Sequence, residues 1–305
     1  MQQPESPRAK KRIFRPLDVI VFVVVAGLVV WFVQKTATTL DYHWKWSIIP
    51  QYLLRTDEAS GGLVPGLLLR GLFTTLRLSI WGGLIAMLLG LVFGLMRVSP
   101  RLFYRQLATT YVELVRNTPP LVIVFVFYFF IGDQLMSLMH MDALVVHLSS
   151  EPQTVIPILF GPVEQLPQFV SATITIGLFE GAYIAEIVRA GVESLERGQW
   201  EASCAQGFTR RQQLRFIILP QALTRMLPAL AGQFISTIKD SSIVAIISIQ
   251  ELTYQGLQIM AATYRTFEIW ITILLLYFVL TFLCSTLVDA LERKVNANGV
   301  HRFDR

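Results

Sequence analysis

Few residues in this chain are equipped for chemistry, and those few sit in apolar surroundings. Lys239 and Asp240 are adjacent within a hydrophobic stretch and are flanked by Ser236, Thr237, Ser241 and Ser242. Ionisable groups in such a place are costly unless they face water, protein or each other, so the pair marks either a polar network inside the fold or the lining of a path for a hydrophilic solute. Neighbours in a helix point about 100° apart, which favours separate partners over a mutual salt bridge. Glu180 and Glu186 interrupt another apolar stretch, six residues apart and so on different faces. Glu186 precedes Arg189 by three residues, a spacing suited to an intrahelical ion pair. The four histidines, His43, His140, His147 and His301, are scattered without metal-ligand spacing, and Cys204 and Cys284 make no disulfide framework. No G-x-x-x-x-G-K-[ST], HExxH or GxSxG occurs, so the residues of nucleotide or ester hydrolysis are missing.

The elements that carry these groups are membrane helices. Of 305 residues, 53% are hydrophobic and 15% charged, against roughly 25% charged in an average soluble domain. A helix crossing the hydrocarbon needs about 20 mostly apolar residues. Confident spans run through VIVFVVVAGLVVWFVQ after Asp18, LSIWGGLIAMLLGLVFGLM after Arg77, and the stretch from Ile269 to Asp289. Another lies between Asn117 and Gly132, with YVELVR before it able to add helical turns and a proline break near its start at Pro119 and Pro120. Two less clean ones cover about 169–188 and 227–249, giving an all-α integral membrane protein of about six transmembrane helices. Gly83, Gly90 and Gly94 are expected on one face of the second span, where a neighbouring helix can come close.

Basic residues orient the bundle. Arg8, Lys10, Lys11, Arg12 and Arg15, then Arg97, Arg101 and Arg105, then the 189–215 loop, then Arg293 and Lys294 all fall on one side, whereas 132–171 contains no Lys or Arg. Positively charged loops resist translocation, so both termini are expected in the cytoplasm. This distribution accounts for the formal charge of +5 through the lipid bilayer and without nucleic acid. The basic start followed by an apolar run also describes a signal peptide, but QKTATTLDYHW offers no clear cleavage site, which favours an uncleaved anchor.

The loop RAGVESLERGQWEASCAQGFTRRQQLRFIILPQAL is too polar for the membrane and too patterned for a slack linker. Residues 196–206 read as a short helix closed by Gly207 in a left-handed conformation, and Leu219-Pro220 opens the next membrane helix. Such a helix-turn element suits pushing by a soluble partner. Glu201-Ala202-Ser203, Gly207 and Ile217-Ile218-Leu219-Pro220 resemble, in spacing, the EAA signature of the permease subunits of bacterial ABC importers, with Ser203 where alanine is usual. GLFTTLRLS, YVELVRNTPPL, GAYIAEIVRAGVESLERGQWEA and IKDSSIVAIISIQELT are similar to segments of the polar amino-acid branch, so the resemblance covers about 67–294.

That resemblance implies a type I ABC importer permease core over 66–292 with its coupling loop at 189–220, preceded by an extra N-terminal helix and loop (17–65) and flanked by basic tails at 1–16 and 293–305. It implies docking of the ATP-hydrolysing subunit on Glu201, Ala202, Ser203, Gly207, Ile217, Leu219 and Pro220. It further implies an ATPase dimer, a second permease subunit of the same or similar kind, and a periplasmic amino-acid-binding protein as partners. The chain is then no enzyme and binds no cofactor, ATP and magnesium being used by the partner. Lys239, Asp240, Ser241 and Glu180 are the candidate substrate path, and Arg70, Arg77 and Lys239 tilt the substrate toward glutamate, aspartate or glutamine. The alternative is a self-sufficient secondary transporter or channel, in which the intramembrane ionisable groups carry ions or protons.

Overall fold

The computed structural model describes residues 16–39, 42–56, 61–149 and 155–303. The chain divides into two units, one up to Ser47 and one from Ile48 onward. In the first, helix α1 (Pro16–Thr39) carries the apolar stretch Val19–Lys35. Behind it the ring of Trp44 stacks on Trp46 at 5.7 Å and meets Tyr42 edge-on at 5.2 Å, an aromatic cluster suited to a membrane surface. Of the basic tail expected over 1–16, residues 1–15 lie outside the described residues and Pro16 already begins α1.

The second unit opens with α2 (Ile49–Leu53) and a hairpin of β1 (Leu54–Thr56) antiparallel to β2 (Leu63–Pro65), with Arg55 opposite Val64. Next come α3 (Leu67–Arg97), α4 (Leu102–Arg116), and α5 (Pro120–Val126), which continues through a π-helical stretch into α6 (Asp133–Leu138). Short α7 (Met141–Ser149) and α8 (Val155–Phe160) lead to α9 (Leu166–Glu193). The loop element follows as α10 (Arg197–Ala205) and α11 (Arg210–Gln212), and a π-helical stretch joins it to α12 (Leu219–Asp240). A 3-10 stretch, Ser241–Ile247, then α13 (Leu252–Thr263) and α14 (Thr266–Phe303) complete the unit. Among the described residues, five stretches are long and apolar enough to cross a membrane: Leu67–Arg97, Pro120–Leu138, Val163–Glu193, Arg210–Ile247 and Thr266–Ala290. The sixth expected span falls on α1, whose apolar stretch Val19–Lys35 is shorter than those five.

Three boundaries differ from the sequence expectation. Residues 48–65 belong to the bundle, because Ile49 is buried with Leu68, Leu252 and Ile269, and the Gly66 amide donates to the Leu53 carbonyl at 2.7 Å. YVELVR forms the end of α4 rather than the start of the next span: Pro119 holds an extended backbone, φ −54° and ψ 133°, so α5 begins afresh at Pro120. Beyond 292, where a tail was expected, α14 continues as helix to Phe303.

The bundle is organised around α9, whose most apolar stretch is 67% buried, against 11% for α14. Helices α3 and α9 run parallel and nearly touch. A Cβ added at Gly90 would lie 2.3 Å from Ile184, one at Gly94 2.6 Å from Val188 and 2.8 Å from the Ala185 carbonyl, and one at Gly177 2.5 Å from Ile85. The contact ridge on α3 is Gly82, Ala86, Gly90 and Gly94, each buried. Gly83 therefore leaves the face it was expected to share: it meets Phe234 of α12 instead. A four-residue ridge drifts around the helix with each step, so two steps back from Gly90 lead to Gly82. The glycines thus serve packing within one subunit. At Gly94 the obstacle is partly backbone and cannot yield, whereas at Gly191 it is side chain alone, Met226, 2.1 Å away at its Cγ and 2.5 Å at its Sδ. In thermal unfolding of the detergent-solubilised chain, Gly94→Ala is expected to cost about 1–3 kcal/mol. Gly191→Ala should cost less, and Gly198→Ala, where nothing lies within 4 Å, should cost nothing.

Candidate functional site

Local chemistry explains the shape of the loop element. Gly207 sits at φ +83°, the left-handed region that glycine enters without penalty, and it lets the chain turn from α10 toward α11. Thr209 and Gln212 form a capping box that starts α11, the Thr209 amide donating to Gln212 Oε1 at 2.9 Å. Between the two helices the Arg210 guanidinium lies 3.6 Å over the Trp200 ring, and Gln213 Nε2 donates to the Trp200 carbonyl at 3.4 Å.

The element is then clamped to α12, and α12 to the end of α9. Arg225 of α12 donates to the Ser194 carbonyl at 2.5 Å, and Gln221 Nε2 to Gln199 Oε1 at 3.1 Å. Beneath these bonds Val192 and Leu195 pack with Ile218, Ala222 and Met226, and Trp200 and Leu214 close over them. Of the residues marked in the sequence, Glu201, Ala202, Gly207 and Pro220 are exposed. Ser203, Ile217 and Leu219 face the other way. The Ser203 hydroxyl is buried and donates to the Trp200 carbonyl at 2.9 Å, which is how the element accommodates a serine in an alanine position. Ile217 and Leu219 pack on the apolar cluster and hold the element rather than present it.

Within the bundle, the candidate path residues Glu180 and Asp240 come together, while Lys239 and Ser241 point elsewhere. Glu180 of α9 is fully buried and accepts from Gln233 Nε2 of α12 at 2.6 Å, while its Oε1 has no hydrogen-bond partner among the described residues. Asp240 lies two turns beyond Gln233 and lines a cavity of about 440 Å³ with Pro120, Phe179, Tyr183, Gln233 and Ser236. Ser241 points away: it is buried and its hydroxyl donates to the Ile238 carbonyl at 2.8 Å. Lys239 is exposed on another face of α12 and lines none of the cavities described here. It is also apart from Arg70 and Arg77, which line a different cavity of about 340 Å³ at the opposite end of the bundle from the loop element.

An apolar layer separates the two ends. Three elements pass from the inner cavity to the outer one in the same order: Pro120, Val124, Tyr128; Phe179, Ile176, Phe169; and Asp240, Val244, Ile249. The middle residues pack with Leu78 and Ala172 as one buried cluster.

Two networks were invisible in the sequence. The expected Glu186 pairing with Arg189 is present, but Glu186 also accepts from Arg97 Nη1 of α3 at 2.5 Å and lies 3.7 Å from Arg116 of α4. Arg97 in turn reaches Glu113 at 3.3 Å, so three helices are tied at the loop end. Glu251, fully buried, caps α13 by accepting from the Tyr254 amide at 2.8 Å, and it accepts from Tyr277 at 2.7 Å and Thr75 at 3.3 Å. Burial raises its carboxyl above the ordinary range while these hydrogen bonds pull it back. A carboxylate in an apolar run is the only local signal for Glu251, since its partners lie on α3 and α14.

The sequence profile described as "Binding-protein-dependent transport system inner membrane component" matches residues 86–297. The chain is 34% identical over 229 residues to the glutamine transport system permease protein GlnP of Escherichia coli (strain K12), covering 75% of this chain and 93% of that one. It is 29% identical over 260 residues to the glutamate/aspartate import permease protein GltJ of the same strain, covering 85% and 98%. Among solved structures, an amino acid ABC transporter crystallised with histidines is similar at a TM-score of 0.59 and 32% identity, over 75% of this chain and 94% of that one. The inward-facing MetNI methionine ABC transporter, at 22% identity and a TM-score of 0.57 over 75% of this chain and 96% of that one, shares the fold. With a helical bundle of membrane-crossing length and a match over more than two thirds of its residues, the chain belongs to the family of inner-membrane components of binding-protein-dependent transport systems.

Proposed function

We propose that this chain is the permease subunit of an ATP-driven importer that carries a polar amino acid, glutamine, glutamate or aspartate, across the bacterial inner membrane. The observation that carries the mechanism is the loop element. Glu201, Ala202 and Gly207 are exposed on a helix-turn unit that follows directly from α9 and is bonded to α12 through Gln199 and Gln221, while Arg225 ties α12 to the end of α9. A soluble ATPase docked on that surface moves two membrane helices at once, because little slack exists between them. ATP and magnesium belong to that partner dimer, the chain itself needing no cofactor, and the loop and both termini lie in the cytoplasm. A periplasmic binding protein delivers the substrate at the other end.

The relatives named for glutamine and for glutamate/aspartate support the substrate class. Asp240, Gln233 and Ser236 give the inner cavity a polar wall, and the acidic group there complements the ammonium that every amino acid carries. Lys239, exposed within a membrane span, needs protein or water against it. Its face of α12 therefore meets a second permease subunit, identical or similar.

Two outcomes test this function in proteoliposomes containing the assembled importer. Gly207→Asp and Glu201→Lys are expected to leave membrane insertion intact and to cut ATP-driven uptake about tenfold or more, while the ATPase subunit still hydrolyses ATP. Gly207 has open space around its α-carbon, so the aspartate costs only the roughly 1–2 kcal/mol of a left-handed backbone and not the fold. Normal uptake in both variants rules out the docking role. Asp240→Leu should also lower uptake, by removing a wet wall of the path, whereas Asp240→Asn keeps a larger share; equal transport by all three chains returns Asp240 to a structural role.

A further inference from the structure

The outer end of the bundle holds two guanidinium groups that no acidic side chain among the described residues pairs with. Arg70 and Arg77, with Thr74 between them, stand at i, i+4 and i+7 on one face of α3 and line the same cavity. Each uses its Nε on a backbone carbonyl, Arg70 on Pro65 at 3.0 Å and Arg77 on Ile158 at 2.8 Å. Neither has a carboxylate partner among the described residues. Arg77 is half-buried, ten residues inside a membrane-crossing stretch, where an uncompensated charge is expensive. Around the two arginines the cavity presents the side-chain amides of Gln165, Gln250 and Gln255 and no acidic residue.

A second cavity of about 360 Å³ adjoins it, sharing Thr74, Gln165 and Gln250 and floored by Phe169, Ile247 and Ile249 of the apolar layer. Both volumes fall in the range of about 300–1,000 Å³ usual for small-ligand sites. The charge here is opposite to that of the inner cavity, where Asp240 lines the wall.

We propose that this vestibule is an outer binding site for the amino acid, in which Arg77 and Arg70 take the carboxylate of the substrate and the glutamine amides take its polar side chain while the apolar layer below is closed. Guanidinium groups already held by their Nε keep their terminal N–H donors free for a carboxylate, and the bond orients the zwitterion with its ammonium toward the acidic cavity beyond the layer. The proposal rests on the amino-acid importer function and adds a second, earlier stop on the same path.

The test uses the full-length chain in lipid nanodiscs and radiolabelled L-glutamine, with L-glutamate and 4-aminobutanamide, the glutamine skeleton stripped of its α-carboxylate, as competitors. L-glutamine should bind, L-glutamate should displace it, and 4-aminobutanamide should not. Arg77→Gln is expected to weaken binding at least about tenfold and Arg70→Gln to a smaller extent. Arg77→Lys should recover part of the loss, and Arg55→Gln, on the hairpin, should change nothing. Gel filtration of each variant checks its fold, and Arg70→Gln, whose side chain is exposed, keeps the test open where Arg77→Gln misfolds. Absence of binding to the parent chain, equal competition by 4-aminobutanamide, or unaltered binding in both glutamine variants overturns the vestibule. So does binding that survives in the variants while stimulation of the ATPase by the binding protein fails, since the arginines then form a protein-docking patch. ATP-driven uptake by the parent importer is measured separately: its absence refutes the importer, whereas uptake with unchanged binding in the variants refutes only the vestibule.

Discussion

The close approach of α3 and α9 is the constraint from which the rest of the bundle follows. With Gly82, Ala86, Gly90 and Gly94 on one helix and Gly177 and Gly181 on the other, the two backbones come near enough that an added methyl group would collide. Lipid tails are as apolar as leucine, so helices in a membrane associate through dispersion contact and polar bonds rather than through the hydrophobic effect, and contact improves as backbones approach. Helix α9 becomes the axis of the subunit by this route. It then carries Glu180 to the inner cavity, against Gln233 of α12, and Glu186 to the level of the loop, against Arg97 of α3.

Charge is handled differently at the two ends of that axis. At the loop end, Glu186 is shared among Arg97, Arg116 and Arg189, and the bonds run between α3, α4 and α9. That end behaves as one block to which the loop element is attached by Arg225 and Gln221. At the far end Glu251 ties α13 to α3 and α14, while Arg70 and Arg77 have no counter-ion among the described residues. The buried carboxylates Glu180 and Glu251 are held by neutral hydrogen-bond donors, whereas Arg70 and Arg77 turn their terminal N–H groups to a cavity.

Much of this was legible in the sequence because the bilayer imposes strict rules. Span lengths, the turn at Gly207 and the helix over 196–206 follow from local chemistry, and all three are present. What was not legible depends on contacts between distant positions. Gly83 looked equivalent to Gly90 and Gly94 by spacing, and only the course of α9 across α3 separates them. Ser241 and Lys239 looked as polar as Asp240, but a helix has one face toward the cavity, and Gln233, Ser236 and Asp240 occupy it. Gln233 itself carried no signal, being a neutral residue whose role comes from Glu180 on another helix. The boundary at Ser47 was hidden for the same reason: Ile49 is unremarkable until Leu68 and Leu252 cover it.

The cluster of Val124, Phe169, Ile176, Val244 and Ile247 has a consequence for the cell that houses it. A bare ion entering that greasy partition would have to shed its hydration with nothing to replace it, and the energetic barrier stops protons and sodium alike. An idle subunit therefore does not drain the electrochemical gradients held across the same membrane, and the cell can keep many such transporters waiting without bleeding the voltage that powers its other work.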